Sequence, residues 1–356
     1  MVDSETVRKA MEKGVAEKRK FESLEYVRFR GPFRAVERGS VIAEDGFFPG
    51  FPHIKRIFTL EKGLARNIEG DAVFAEEKID GYNLRAIWSG GALYALSRGG
   101  IVDAFSTEKL REIVPKKAFR ERVMLCGEMI GNTPYTKPAK NFDVKYFVFD
   151  IYDLEDGEFM PQDEKRAFIK ANGLESVPQL GKFSKAADGK RLRELALNVN
   201  KARKEGIVFK SESREQVVKY VNPNADIEDV GNSIKQIFDM PTGHFNQRML
   251  RSGIFVREYG LDQKAYGKEM GKAIYGKFCE GLRMLESEGE IYDEFEIRVK
   301  NPAVWDELKS HMGKEVKLRV VSQKQDGERT IIRFRKIYVK STKKLREFLG
   351  GKGITD

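Results

Sequence analysis

The chain is short of the residues that build disulfide frameworks and zinc clusters. Its two cysteines, Cys126 and Cys279, support neither. Its three histidines, His53, His244 and His311, are too scattered to suggest a site made of imidazoles. No run approaches the ~18 consecutive apolar residues of a membrane span, and the N-terminus lacks the apolar core of a signal peptide. The expected setting is therefore the cytoplasm, with no membrane partner. Low-complexity segments and internal repeats are also missing. What remains is a folded composition of 356 residues, 40% hydrophobic and 34% charged. That is enough chain for about two to four domains, each with its own core.

Lys and Arg outnumber Asp and Glu by 65 to 55, a formal net charge of +10 and a pI near 9.3. Such a balance favours a polyanionic partner, because every phosphate neutralised by a basic side chain releases condensed counterions. It equally suits a surface that only keeps the protein soluble.

Periodicity divides the chain into four stretches. In residues 1–68, Asp3-Ser4 caps a helix bearing Val7, Met11 and Val15. A β-rich region follows, with a strand over Leu24 to Arg30, the aromatic loop Phe47-Phe48-Pro49-Gly50-Phe51-Pro52 and a strand from Ile54 to Leu60. Residues 69–232 alternate short strands with helices near Thr107 to Ile113, Asp163 to Asn172 and Lys190 to Lys204; Ser89-Gly90-Gly91 reads as a hairpin turn. Polar groups at the ends of those strands can converge on one cleft. Residues 233–289 are helical, with Met270, Ile274, Phe278, Leu282 and Leu285 in one apolar stripe that must be covered, by the chain itself or by a second copy. Residues 290–356 form a basic α+β unit in which Phe295, Ile297 and Val299 alternate with charged residues.

The chemistry-bearing residues come in a fixed order. Glu76-Glu77-Lys78-Ile79-Asp80-Gly81-Tyr82-Asn83 is followed by Ser97-Arg98-Gly99-Gly100, Cys126-Gly127-Glu128-Met129-Ile130-Gly131, Tyr146 to Asp150, Glu205 to Lys210 and Val217-Val218-Lys219-Tyr220. A lysine amine is a nucleophile only when neutral, and burial beside other cations favours that form. Lys78, with Lys210 and Lys219 later in the series, fits that requirement. Asp80, two residues on, shares a strand face with Lys78.

Together these segments resemble the covalent nucleotidyltransferase superfamily, and most closely the archaeal homodimeric ATP-dependent RNA ligase family. The resemblance implies an α+β fold: an ATP-grasp-like catalytic domain of antiparallel sheets and helices, a small β-rich N-terminal region, a helical dimerisation region and a C-terminal α+β domain. It implies that Lys78 displaces pyrophosphate from ATP to give lysyl-AMP. AMP would then pass to an RNA 5′-phosphate, and an RNA 3′-hydroxyl would displace it, joining or circularising the RNA.

In the same way, Asp80 is implied to act in the late steps, and Lys219 at the α-phosphate. Lys210 is implied as a candidate second cation, since Lys219 is followed by Tyr220 where many relatives carry another lysine. Glu205 is implied to hold Mg²⁺ or Mn²⁺, Glu128 to accept from ribose hydroxyls and Arg98 to bind ribose or phosphate. Asn83 stands where DNA ligases and capping enzymes usually have Arg, and Arg85 could restore that charge. Phe147 is the expected ring against adenine, with Tyr146 and Phe149 as alternatives. Either Glu76 or Glu77 would receive the adenine amino group. Rival readings are an RNA guanylyltransferase, a DNA ligase or a non-catalytic RNA-binding scaffold.

Overall fold

The computed structural model describes residues 2–136, 141–241, 243–312 and 316–353. The helix Ser4–Glu12 starts at Asp3, whose carboxylate accepts the Thr6 N–H at 2.7 Å. It leads into a four-stranded antiparallel sheet of Ala16–Phe21, Leu24–Phe29, Val41–Ala43 and Gly46–Phe48.

The expected strand from Ile54 to Leu60 shrinks to Lys55–Arg56, and Leu60–Asn67 is a helix. The apolar residues explain the difference: Ile57, Leu60, Leu64 and Ile68 recur at three- and four-residue spacing and are all buried. They share a core with Val73, Ile207 and Phe209. The chain thus enters the catalytic unit before the expected boundary at residue 68.

Two five-stranded sheets make up that unit. The first runs in the order Glu158–Phe159, Val144–Asp153, Val123–Gly131, Tyr82–Ser89, Ala92–Ser97, with every neighbour antiparallel. Its hairpin turns at Gly90 and Gly91, with φ of 56° and 78°, a pair of values that favours glycine. The second has the order Gln179–Ser184, Ala72–Lys78, Gly206–Lys210, Val217–Val221, Lys55–Arg56, and only its last pair is parallel. Helices Ala104–Ile113, Gln162–Asn172 and Gly189–Lys201 cover the sheets.

Beyond residue 232 come the helix Gly243–Tyr259 and a longer helical stretch, Gln263–Gly271, Lys272–Gly276 and Lys277–Glu288, with a π turn in its middle. A three-stranded antiparallel sheet follows, ordered Tyr292–Val299, Arg329–Tyr338, Val316–Asp326, with helices Ala303–His311 and Val339–Leu349. Part of the apolar stripe is covered by the chain itself: Phe278, Leu282 and Leu285 pack with Ile291, Tyr338 and Leu345. The expected units 233–289 and 290–356 therefore share a core. Ile297, Trp305, Ile332 and Phe334 in turn join Leu84, Phe105 and Ile151 in the largest core of the molecule. At this junction the Glu108 carboxylate accepts the N–H groups of Lys300 and Asn301 at 2.8 and 2.9 Å. Among the described residues, no helix is long and apolar enough to cross a membrane.

Candidate active site

The chain crosses between the two catalytic sheets at Lys78. This residue ends Ala72–Lys78 in one sheet, and Tyr82–Ser89 begins in the other. The crossing is tight: a Cβ on Gly81 would lie 2.6 Å from both Ile130 and the Met129 carbonyl, so only glycine lets the turn approach the neighbouring strand. Lys78, Asn83, Arg98, Glu128 and Lys219 face the resulting cleft. Asp80 lies on the rim, lining the adjoining groove between the catalytic and C-terminal parts.

Lys78 and Glu205 form an ion pair, which their strands dictate, since Gly206 is the register partner of Lys78. Glu205 Oε2 is buried without a hydrogen-bond partner. Burial raises the Glu205 carboxyl above its ordinary range, Lys78 opposing and Asp80 adding to the rise. Glu128 is pushed up to about 8, first by burial, against Lys78, with Glu205 and Asp80 adding their repulsion. Three carboxylates thus crowd one ammonium. Lys219 is lowered to about 8 by burial and by repulsion from Arg56, Lys78 and Arg98. The Asn83 Oδ1 atom is also buried without a partner.

Beneath the cleft lies a buried charge network. Lys210 Nζ is 2.6 Å from Glu76 Oε2 and 2.9 Å from Asp150 Oδ1, and donates to the Phe149 carbonyl at 2.7 Å. Lys165 also pairs with Glu76 and donates to the Phe149 carbonyl and Gln162 Oε1 at 3.0 and 2.9 Å. Arg214 donates to Asp150 Oδ2 at 2.7 Å. Burial alone would raise the Glu76 carboxyl, but Lys210 and Lys165 outweigh it and hold it below its ordinary value. Asp150 is driven lower still, Arg214 and Lys210 overcoming its burial.

Several expected site residues therefore sit differently than the sequence suggests. Lys210 borders the cleft, as expected, and is paired there with the Glu76 and Asp150 carboxylates. Arg85 does not reach the cleft. It is fully buried and donates to the carbonyls of Pro49, Gly39 (2.7 Å) and Ser97 (3.1 Å), tying the N-terminal loops to the end of the strand Ala92–Ser97. Phe149, not Phe147, lines the cleft. A β-bulge between Val148 and Asp150 adds one residue to that strand and turns Phe149 inward. Tyr146 is buried under Leu84 and Leu125, to whose carbonyls its hydroxyl donates at 3.2 and 3.0 Å. Glu76 and Glu77 both border the cleft; the former is held by the buried lysines and the latter pairs with Lys204 at 3.1 Å.

Sequence reasoning assigned nothing to Lys165, Asp150, Arg214 or Phe51. Asp150 stood inside a recognised segment, and Phe51 in a recognised aromatic loop. Lys165 sits in Asp163-Glu164-Lys165-Arg166 and has no local signal that separates it from its solvated neighbours.

A divalent cation fits this donor set. Glu205 offers an orphaned oxygen among mutually repelling carboxylates, and Mg²⁺ commonly uses one or two carboxylates with phosphate oxygens and waters. Among the described residues, no three His, Cys, Asp or Glu side chains could hold a metal unaided.

Residues 71–221 match the RNA ligase family, and residues 233–352 match the family described as the Ligase Pab1020 C-terminal region. An archaeal ATP-dependent RNA ligase superimposes with a TM-score of 0.90 at 26% identity, covering 99% of this chain and 97% of that one. A chain from Aquifex aeolicus, provisionally named an ATP-dependent DNA ligase, superimposes with a TM-score of 0.93 at 29% identity, covering 99% and 100%. The uncharacterised protein MJ0414 of Methanocaldococcus jannaschii is 26% identical over 364 residues, 96% of this chain and 92% of that protein.

Proposed function

We propose that this chain, which belongs to the RNA ligase family, seals RNA 5′-phosphate and 3′-hydroxyl ends at the expense of ATP, through lysyl-AMP formed at Lys78. The observation that carries the reading is Lys78, paired with Glu205 and lining the same cleft as Lys219. Glu205 Oε1 is placed to take the surplus ammonium proton, which frees the lone pair of Lys78 for the α-phosphorus. The N–P bond forms as the bond to pyrophosphate breaks. Lys219 would meet charge growing on the α-phosphate oxygens, with Arg98 on ribose or phosphate. Glu128 and Asn83 suit the ribose hydroxyls, and Phe149 offers a ring to adenine.

Glu205 Oε2 would hold Mg²⁺ or Mn²⁺, which offsets phosphate charge when bound. AMP then moves to the RNA 5′-phosphate, so that the lysine is regenerated. Asp80, on the rim, orients the incoming 3′-hydroxyl, whose oxygen displaces AMP. If the two ends belong to one molecule, the product is a circle.

The homodimer implied by the resemblance would use the helical region, where Met249, Leu250 and Tyr275 are 54%, 60% and 74% exposed. DNA sealing is the second reading, favoured by the provisional name of the Aquifex aeolicus relative. One sample tests all three points. Intact mass after ATP and Mg²⁺ should rise by one AMP in the wild type and not in Lys78→Ala, native mass should be twice 40.7 kDa, and 5′-phosphorylated RNA should be sealed in preference to matched DNA. A wild type that never gains AMP overturns the proposal.

A further inference from the structure

The N-terminal region reaches the cleft through its aromatic loop. Phe51 lines the cleft beside Phe149, with ring centroids 5.3 Å apart and planes at 71°. Behind it, Phe51 meets Phe159 at 5.9 Å and the Arg214 guanidinium at 5.6 Å. That guanidinium stacks 3.7 Å over Phe159 while holding Asp150, so the aromatic group rests on the buried charge network.

The loop is fixed by Arg85, whose guanidinium gathers the carbonyls of Pro49, Gly39 and Ser97. The first of these lies two residues before Phe51, and the last is the residue before Arg98. The join leaves no slack, since a Cβ on Gly39 would collide with the Arg98 carbonyl. One buried guanidinium therefore sets both the segment that carries Phe51 and the segment that carries Arg98. Lys78, Lys219 and Arg98 are cations facing the cleft, suited to the phosphates of a nucleotide. The paired rings of Phe51 and Phe149 are an apolar surface suited to the remaining part of a nucleotide, its base.

We infer that the N-terminal region completes the nucleotide site. Phe51 walls the purine pocket, and Arg85 is a positioning residue that holds this wall in register with the Arg98 loop. This rests on the ATP reading above.

The test follows lysyl-AMP formation by the full chain against ATP concentration, with inorganic tripolyphosphate as a competitor that has phosphates and no base. Phe51→Ala should raise the half-saturating ATP concentration roughly tenfold, the scale of one lost base–ring stack. The tripolyphosphate inhibition constant should stay as in the wild type, and Phe51→Trp should restore ATP binding. Arg85→Met should weaken ATP and tripolyphosphate alike, because it releases both segments. Phe51→Leu, which keeps bulk without a π face, should behave like the alanine variant and serves if the alanine variant does not fold. Unchanged ATP saturation in both Phe51 variants, or equal weakening of ATP and tripolyphosphate by them, overturns the inference. A wild type that takes up no AMP instead overturns the ATP reading itself.

Discussion

The buried network makes an asymmetric prediction about stability. It holds two carboxylates, Glu76 and Asp150, against three cations, Lys165, Lys210 and Arg214, a formal sum of +1. Glu76→Gln removes a negative charge and leaves +2 in a region where Lys165, Lys210 and Glu76 side chains are only 1–2% exposed. Stranding a buried charge in this way costs about 3–5 kcal/mol. Lys165→Met instead leaves two carboxylates against two cations. Its cost is the lost contact with Glu76, which keeps Lys210, and the lost bonds to Phe149 and Gln162, about 1–3 kcal/mol in all. The double variant returns to +1, so it should be more stable than the sum of the single losses by about 1–3 kcal/mol.

Urea unfolding followed by tryptophan fluorescence reads these differences, since Trp88 packs against the core of the catalytic sheet. A Lys165→Met loss as large as that of Glu76→Gln, or strict additivity in the double variant, would refute the charge argument. A pH series adds a check on the sign. Burial, with repulsion from Lys210, lowers Lys165 to about 8 despite Glu76. Between pH 8 and ~10.4 the unfolded lysine therefore holds more protons than the folded one. Over that window the wild type should gain stability relative to Lys165→Met as pH rises.

The catalytic groups should respond in the same terms. Lys219 is cationic below about pH 8 and neutral above it, so kcat/KM for ATP in lysyl-AMP formation should fall as pH rises through 8. Lys219→Arg should move that fall to higher pH, and a fall at the same pH would assign it to another group. Chelating the divalent cation should stop adenylation in the wild type. Glu205→Gln should lower its rate by roughly 10²–10³, the scale of one lost electrostatic contact to the transition state; a variant that keeps the full rate at saturating Mg²⁺ would remove Glu205 from the reaction.

Much of this architecture is legible in the sequence because ordered short segments and periodicity are local signals. The hairpin at Gly90-Gly91, the helices over 104–113 and 162–172 and the alternating strand at 292–299 all fall close to their expected places. So do the residues that face the cleft from strand ends. What escapes is non-local. A bulge is invisible until its partner strand is known, hence Phe149 in place of Phe147. Arg85 has the alternation of a cleft residue, yet the three carbonyls it binds lie 46, 36 and 12 residues away. Lys165 has a partner 89 residues distant and nothing nearby to announce it.

The C-terminal part contributes Trp305, Ile332 and Phe334 to the same hydrophobic interior as Leu84 and Phe105. Swinging that part aside would bring large apolar side chains into water at about 1.5–3 kcal/mol each. That cost opposes a clamp-like opening at the seam between the two parts, along which the groove lined by Asp80 runs.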